Sequence, residues 1–199
     1  MIVAFSGPQG AGKSTAMGAL SPWSPDYVDF IEKQGAKIPS DVWVHLPFAG
    51  PIKAMLATLI GWEDINDREL REKPYFLLAG KPPRFAMQTL FTEWGREILG
   101  KDLWVNAWKQ KAREVIKVGA HVVVDDLRFF NEEQAILAMG GCIIEVERPG
   151  VQRTKLHASE SYTPDYHYHA LNNGSPEELH KRVRYLVDLY SDRLNAEDW

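Results

Sequence analysis

An α/β fold is what this sequence predicts, on three observations. Short apolar, β-branched runs such as Val42-Trp43-Val44-His45-Leu46 and Cys142-Ile143-Ile144-Glu145-Val146-Glu147 alternate with segments whose apolar residues recur at helical spacing. The first apolar run, Ile2-Val3-Ala4-Phe5, passes through a glycine-rich turn directly into a helix. The 199 residues suit one such domain, which at this size buries about 70% of its unfolded surface and needs no cross-links.

Composition narrows the function. A net charge of −4 argues against a protein that coats nucleic acid, so no stable nucleic-acid partner is expected. The single Cys142 rules out an internal disulfide and a cysteine metal cluster, and it suits a reducing, cytoplasmic setting. No apolar run approaches the ~20 residues that span a bilayer, and the N-terminus enters a strand without a basic, leader-like segment. Neither membrane attachment nor export is expected.

The turn after the first strand reads Gly7-Pro8-Gln9-Gly10-Ala11-Gly12-Lys13-Ser14-Thr15, the pattern GxxxxGK[ST] at every fixed position. A polyphosphate is wrapped by backbone N–H groups, and side chains at Gly7, Gly10 or Gly12 would hold the chain away from it. Lys13 is expected to reach the β- and γ-phosphates and Ser14 to ligate Mg²⁺, with Ala11 and Thr15 completing the cradle at the helix start. The expected ligand is a nucleoside triphosphate, ATP, with Mg²⁺.

Turn formers from Ser21 to Asp26 end that helix by about Leu20. After the second strand, Pro47-Phe48-Ala49-Gly50-Pro51-Ile52-Lys53 opens a helix with Met55, Leu56, Leu59 and Ile60 as its apolar positions and Pro51 in its first turn. Residues 63–73 are almost all polar and predict a solvated, mobile segment, from which Arg71 and Lys73 stand out beside the next informative stretch. That stretch is Gly80-Lys81-Pro82-Pro83-Arg84, leading into a helix with Gln88, Thr92, Glu93 and Arg96. At spacings of three and four these residues share a face, and an amide, a carboxylate and a guanidinium so grouped can read a base and hold a phosphate. An ordinary surface pair between Glu93 and Arg96 is the plainer alternative. Asp102 then caps a helix with Trp104 and Trp108 on its packing side.

His121-Val122-Val123-Val124-Asp125-Asp126 is an apolar run ending in acids, the form of the strand that brings a Mg²⁺-handling carboxylate beside a phosphate loop. Side chains alternate along a strand, so one of the two acids, Asp125 or Asp126, faces the phosphates. Arg128 follows where it can reach a transferring phosphoryl group. The next helix stops at Gly140-Gly141, and the strand after it ends at Arg148-Pro149-Gly150. Residues 151–168, with Arg153, Lys155, His157, Ser159 and Glu160, are polar and aperiodic and read as a lid. His167 and His169 lack the further ligands a metal site needs. Ala170-Leu171-Asn172 is a last short strand, and Ser175-Pro176-Glu177-Glu178 caps the final helix.

Taken together these stretches resemble the bacteriophage deoxynucleoside monophosphate kinases, relatives of the adenylate kinase-like P-loop kinases. The resemblance rests on the phosphate loop, Phe48-Ala49-Gly50-Pro51-Ile52-Lys53, Pro83-Arg84 with Gln88-Thr89-Leu90-Phe91-Thr92-Glu93-Trp94-Gly95-Arg96, Asp126-Leu127-Arg128-Phe129-Phe130-Asn131-Glu132, His157-Ala158-Ser159-Glu160 and Asn172-Asn173-Gly174-Ser175, in that order. It implies the P-loop NTPase three-layer α/β/α architecture: a five-stranded, mostly parallel sheet with a helical monophosphate-binding insertion at about 51–99, a lid at about 149–169, and a core formed by the remainder. It also implies phosphoryl transfer from ATP to a deoxynucleoside monophosphate, giving the diphosphate and ADP, in the cytoplasm, the host's for a phage enzyme. Phe91 stands where a glycine is usual, Phe130 where a proline is usual, and Leu156 where an acid is common.

The resemblance also distributes roles. Lys13 and the loop amides hold the donor, and the Asp-x-Arg position favours Asp126 over Asp125 for Mg²⁺. Arg128 and Arg148, with Arg153 from the lid, stabilise the transferring group. Arg84 and Arg96 take the acceptor's phosphate, Gln88 and Glu93 its base or sugar, and Lys53 and Thr92 belong to the same substrate set. A kinase for a metabolite hydroxyl, such as dephospho-coenzyme A, would supply a carboxylate to activate the hydroxyl, whereas a phosphate acceptor requires arginines. A nucleotide-driven switch is the third reading, but the chain has no Asn-Lys-x-Asp motif and no glutamate directly after Asp125-Asp126. The expected partners are small nucleotides. Trp62 and Trp199 are candidates for a homodimer interface.

Overall fold

The computed structural model describes residues 1–24, 33, 38–39, 42–67, 69–152 and 162–197. Arg153 and the rest of 153–161 in the expected lid, together with Trp199, lie outside the described residues. The chain divides into two compact units, one of Met1–Pro47 with Gln110–Trp199 and one of Phe48–Lys109.

The first unit carries a five-stranded sheet in the order β2-β3-β1-β4-β5. Its strands are β1 (Ile2–Ser6), β2 (Trp43–His45), β3 (His121–Val124), β4 (Gly141–Glu147) and β5 (Tyr168–Leu171). Every pairing is parallel, β1 with β3 and β4, β2 with β3, and β4 with β5. A parallel sheet is covered on both faces, and its central strands β1 and β3 are correspondingly apolar and buried. β1, in the middle, is buried at all five positions. Burial of large side chains such as Ile2 and Phe5 contributes about 1.5–3 kcal/mol each.

Helices α1 (Lys13–Gly18), α6 (Phe130–Ala138) and α7 (Pro176–Glu197) belong to this unit. Leu179, Val183, Leu186 and Val187 of α7 pack into one core with Val3, Phe5, Cys142 and Ile144. The cap of α7 is reciprocal: Ser175 Oγ accepts from Glu178 N–H at 3.3 Å and the Glu178 carboxylate accepts from Ser175 N–H at 2.8 Å. At α6 the Glu132 carboxylate accepts from the N–H groups of Arg128 and Phe129, at 2.8 and 3.1 Å. From β1 the chain crosses the sheet in one direction, and from β3 and β4 in the other. This reversal opens a crevice at the carboxyl ends of the central strands, the usual ligand position of such sheets.

The second unit holds α2 (Gly50–Ile60), α3 (Trp62–Asn66) and α4 (Pro83–Thr89), while α5 (Leu103–Lys117) begins in it and continues into the first. On α2 the buried row is Ile52, Leu56 and Ile60; Met55 and Leu59, expected on the apolar side, are exposed. Residues 63–67 and 69–73, expected as a solvated, mobile segment, are mostly exposed but carry short helical turns. Ile65 is fully buried against Leu56 and Ile60, and Asp67 accepts from Glu69 and Leu70 N–H at 2.7 and 2.8 Å, capping a short 3₁₀ turn. One apolar residue and one capping carboxylate suffice where the surrounding charge predicts solvent.

Past Thr89 the helix widens. From Leu90 to Leu99 it is π-helical, with Gly100 N–H donating to Gly95 O five residues back, so the three-and-four spacing expected for Gln88 to Arg96 does not hold there. From α5, Trp104 Nε1–H donates to Phe91 O in this stretch at 2.9 Å, and its indole occupies the space a Cβ on Gly95 would need.

Candidate functional site

The loop between β1 and α1 is drawn tightly against the ends of β4 and β5. Gly7 has φ +139°, and a Cβ there would strike the Val146 carbonyl; Gly12 has φ +101°, and a Cβ would displace the Asn172 amide. These are steric demands, so glycine at both positions is required by the neighbouring strands as well as by a ligand. Asn172 Nδ2–H donates to Ala11 O at 2.8 Å, while its own backbone N–H donates to Glu147 O at 2.7 Å. In the sequence Asn172 is one residue of the Asn172-Asn173-Gly174-Ser175 stretch, without an assigned role. The role is to tie the loop to the sheet. From α7, His180 Nε2–H donates to Thr15 O at 2.8 Å and Arg184 to Ala19 O at 3.3 Å.

The charged groups on this scaffold meet as follows. Lys13 Nζ donates to the carbonyls of Gly7 and Pro8, at 2.7 and 2.9 Å, so its ammonium is held over its own loop. Ser14 Oγ–H donates to Asp125 Oδ2 at 3.0 Å. The other oxygen of that carboxylate, Oδ1, accepts from His45 Nε2–H at 2.8 Å. The carboxylate on Ser14 is therefore Asp125, where the Asp-x-Arg position favoured Asp126; β3 ends at Val124, and the first acid beyond it is the one aimed at α1. His45 was read only as a strand residue. The available signal was its place at the carboxyl end of a short strand, where α/β sheets bind ligands.

A serine hydroxyl and a carboxylate oxygen 3.0 Å apart are oxygen donors of the kind Mg²⁺ takes. Other histidines are engaged elsewhere. His169 Nε2 pairs with Glu147 at 2.7 Å, and His167 pairs with Ile143, whose N–H donates to Nδ1 at 3.2 Å. The Arg128 backbone is fixed by Glu132, and its side chain is exposed. Arg148 lines a cleft of about 270 Å³ together with Pro149, Asn172, Asn173 and Gly174. Tyr162, within the stretch expected as a lid, donates its hydroxyl to the Glu133 carboxylate, and burial followed by that contact pushes its pKa well above 10.0.

In the second unit, Lys53 Nζ donates to Asn66 Oδ1 at 3.1 Å. Arg84 Nη1 lies 3.2 Å and Arg71 Nε 3.6 Å from the same Glu72 oxygen, so two guanidinium groups share one carboxylate. Arg96 sits over the Phe91 ring at 5.5 Å, and that ring stacks on Trp104 at 6.3 Å and 7°. Phe91, at the position usually glycine, thus carries Arg96 on its face. Gln88, Thr92 and Glu93 are exposed.

Comparison with known proteins adds three findings. No family model matches the chain. A protein of Acanthamoeba polyphaga mimivirus with the provisional name deoxynucleotide monophosphate kinase is 27% identical over 203 residues, covering 94% of this chain and 96% of its own. Among solved structures, a Mycobacterium tuberculosis APS kinase aligns with 94% of this chain and 96% of its own at 13% identity and a TM-score of 0.41.

Proposed function

We propose that this chain is a nucleotide kinase that transfers the γ-phosphoryl group of ATP to a deoxynucleoside monophosphate, giving the diphosphate and ADP. The observation that carries the donor half is the Lys13–Ser14–Asp125 constellation on a loop whose glycines are pinned against β4 and β5. The mimivirus likeness, extending over nearly the whole chain, supports the acceptor half.

In this reading the loop amides from Gly7 to Thr15 bind the β- and γ-phosphates, and Lys13 leaves the carbonyls of Gly7 and Pro8 to meet them. Ser14 and Asp125 would hold Mg²⁺, which when bound neutralises charge on the phosphate oxygens. Arg128 and Arg148 serve the transferring group, with Arg153 as a third arginine. Arg84 and Arg96 take the acceptor's phosphate, and for Arg84 this means exchanging Glu72 for a stronger anion. Gln88, Thr92, Glu93 and Lys53 complete the acceptor set. Little covalent chemistry is asked of the protein in such a transfer; it positions two anions and compensates their charge.

The test is ADP release from ATP and Mg²⁺ against all common deoxynucleoside and ribonucleoside monophosphates, with products identified by chromatography. Turnover with at least one deoxynucleotide, yielding its diphosphate, is the expected result. ADP release indifferent to every acceptor would refute the kinase reading in favour of an ATPase.

A further inference from the structure

His45, the last residue of β2, is fixed on both sides. Its N–H donates to Trp23 O at 2.9 Å, it pairs in register with Val123, and the next residue, Leu46, donates its N–H to Val123 O at 2.9 Å. The imidazole therefore projects from a backbone fixed on both sides. From there Nε2–H reaches Asp125 Oδ1 at 2.8 Å, while Oδ2 takes the Ser14 hydroxyl at 3.0 Å. The Asp125 side chain is 17% exposed and that of His45 31%, so water competes with the contact only in part.

A carboxylate has two equivalent oxygens and swings about one bond. With Oδ1 taken by an N–H donor, a single oxygen is left to turn toward Ser14 and whatever Ser14 binds. The two common divalent cations respond differently to that restriction. Mg²⁺ takes a near-octahedral shell at about 2.0–2.1 Å and keeps waters, whereas Ca²⁺ takes six to eight oxygens at about 2.3–2.6 Å and readily accepts both oxygens of one carboxylate. Removing a group that orients a metal-binding side chain from behind typically costs about 10–100-fold in metal affinity or activity.

We infer that His45 is a positioning residue: it holds Asp125 with one oxygen forward and thereby sets the site's preference for Mg²⁺ over Ca²⁺. This rests on reading the loop as a metal–nucleotide site. If the contact merely braced β2, its loss would lower thermal stability and leave cation dependence alone.

The experiment is calorimetric binding of ATP to the full chain in EDTA, and then as a function of Mg²⁺ and of Ca²⁺, for wild type, His45→Phe, His45→Asn and His45→Gln. Phe keeps a ring without a donor, Asn is too short to reach, and Gln retains an N–H near the place of Nε2. Expected are unchanged metal-free binding throughout, a roughly tenfold rise in the Mg²⁺ half-saturation for His45→Phe and His45→Asn with a narrowed Mg²⁺/Ca²⁺ ratio, and near-wild-type behaviour for His45→Gln. Should His45→Phe not fold, His45→Asn carries the same comparison at this partly exposed position. Wild-type half-saturations for both cations in the donor-free variants would overturn the role of His45 and leave the loop reading standing. Wild-type binding of ATP that ignores Mg²⁺ altogether would overturn both.

Discussion

Under the proposed function, Lys13 is held on its own loop until a phosphate displaces it. Its ammonium satisfies itself on the Gly7 and Pro8 carbonyls, so phosphate binding exchanges two neutral acceptors for anionic ones, and the exchange favours the anion. Lys13→Ala removes the charge and leaves those carbonyls to water; turnover should fall by at least about a hundredfold with the fold intact by circular dichroism. Asn172 is a complementary case, acting on the loop from outside. Asn172→Ala strips the Ala11 carbonyl, on a fully buried residue, of its amide partner, and should cost about 1–3 kcal/mol in urea unfolding as well as weakening ATP. Loss of ATP affinity without loss of stability would mean that Asn172 touches the nucleotide and does not brace the loop. Lys13 was legible from the pattern alone. Asn172 was not, because its partner lies 161 residues away.

Among elements, the short 3₁₀ turn at Leu70–Glu72 depends on one charge. Backbone N–H bonds from Leu70 and then Glu69 hold the Asp67 carboxyl below its ordinary value of 3.8. A carboxyl whose folded value is depressed contributes stability that is complete above the unfolded value and lost as pH falls through the folded one. The turn should therefore loosen below about pH 4, visible as faster amide exchange at residues 69–73, and Asp67→Asn should flatten that dependence. A pH profile unchanged in Asp67→Asn would show that the cap contributes nothing. The π-helical stretch at Leu90–Leu99 teaches the opposite lesson about local reading. Its sequence has helical composition, yet its hydrogen bonds run five residues apart, so a face drawn at α-helical spacing does not carry through to Arg96.

For the molecule as a whole, Cys142 is a built-in reporter. It lies in β4, is fully buried, and burial pushes its thiol pKa to about 12. A thiolate reagent can reach it only when the central sheet opens, because neither exposure nor ionisation is available in the native state. Labelling should be silent under native conditions, and its free-energy dependence on urea should match that of global unfolding. Labelling at a rate independent of urea would reveal a local opening of β4.

The sequence by itself determined the α/β class, the phosphate loop and its lysine and serine, the acidic strand end and the capped final helix, because each is written in residues close together in the chain whose physical demands are local. The choice of Asp125 over Asp126, the partnership of His45, the brace from Asn172, the sharing of Glu72 by Arg71 and Arg84, and the seat of Arg96 on the Phe91 ring were decided by tertiary structure. Each of these depends on which strands lie side by side or which ring occupies a given space. Such distances are fixed when the sheet assembles in the order β2-β3-β1-β4-β5 and the helices pack, and no stretch of sequence carries them alone.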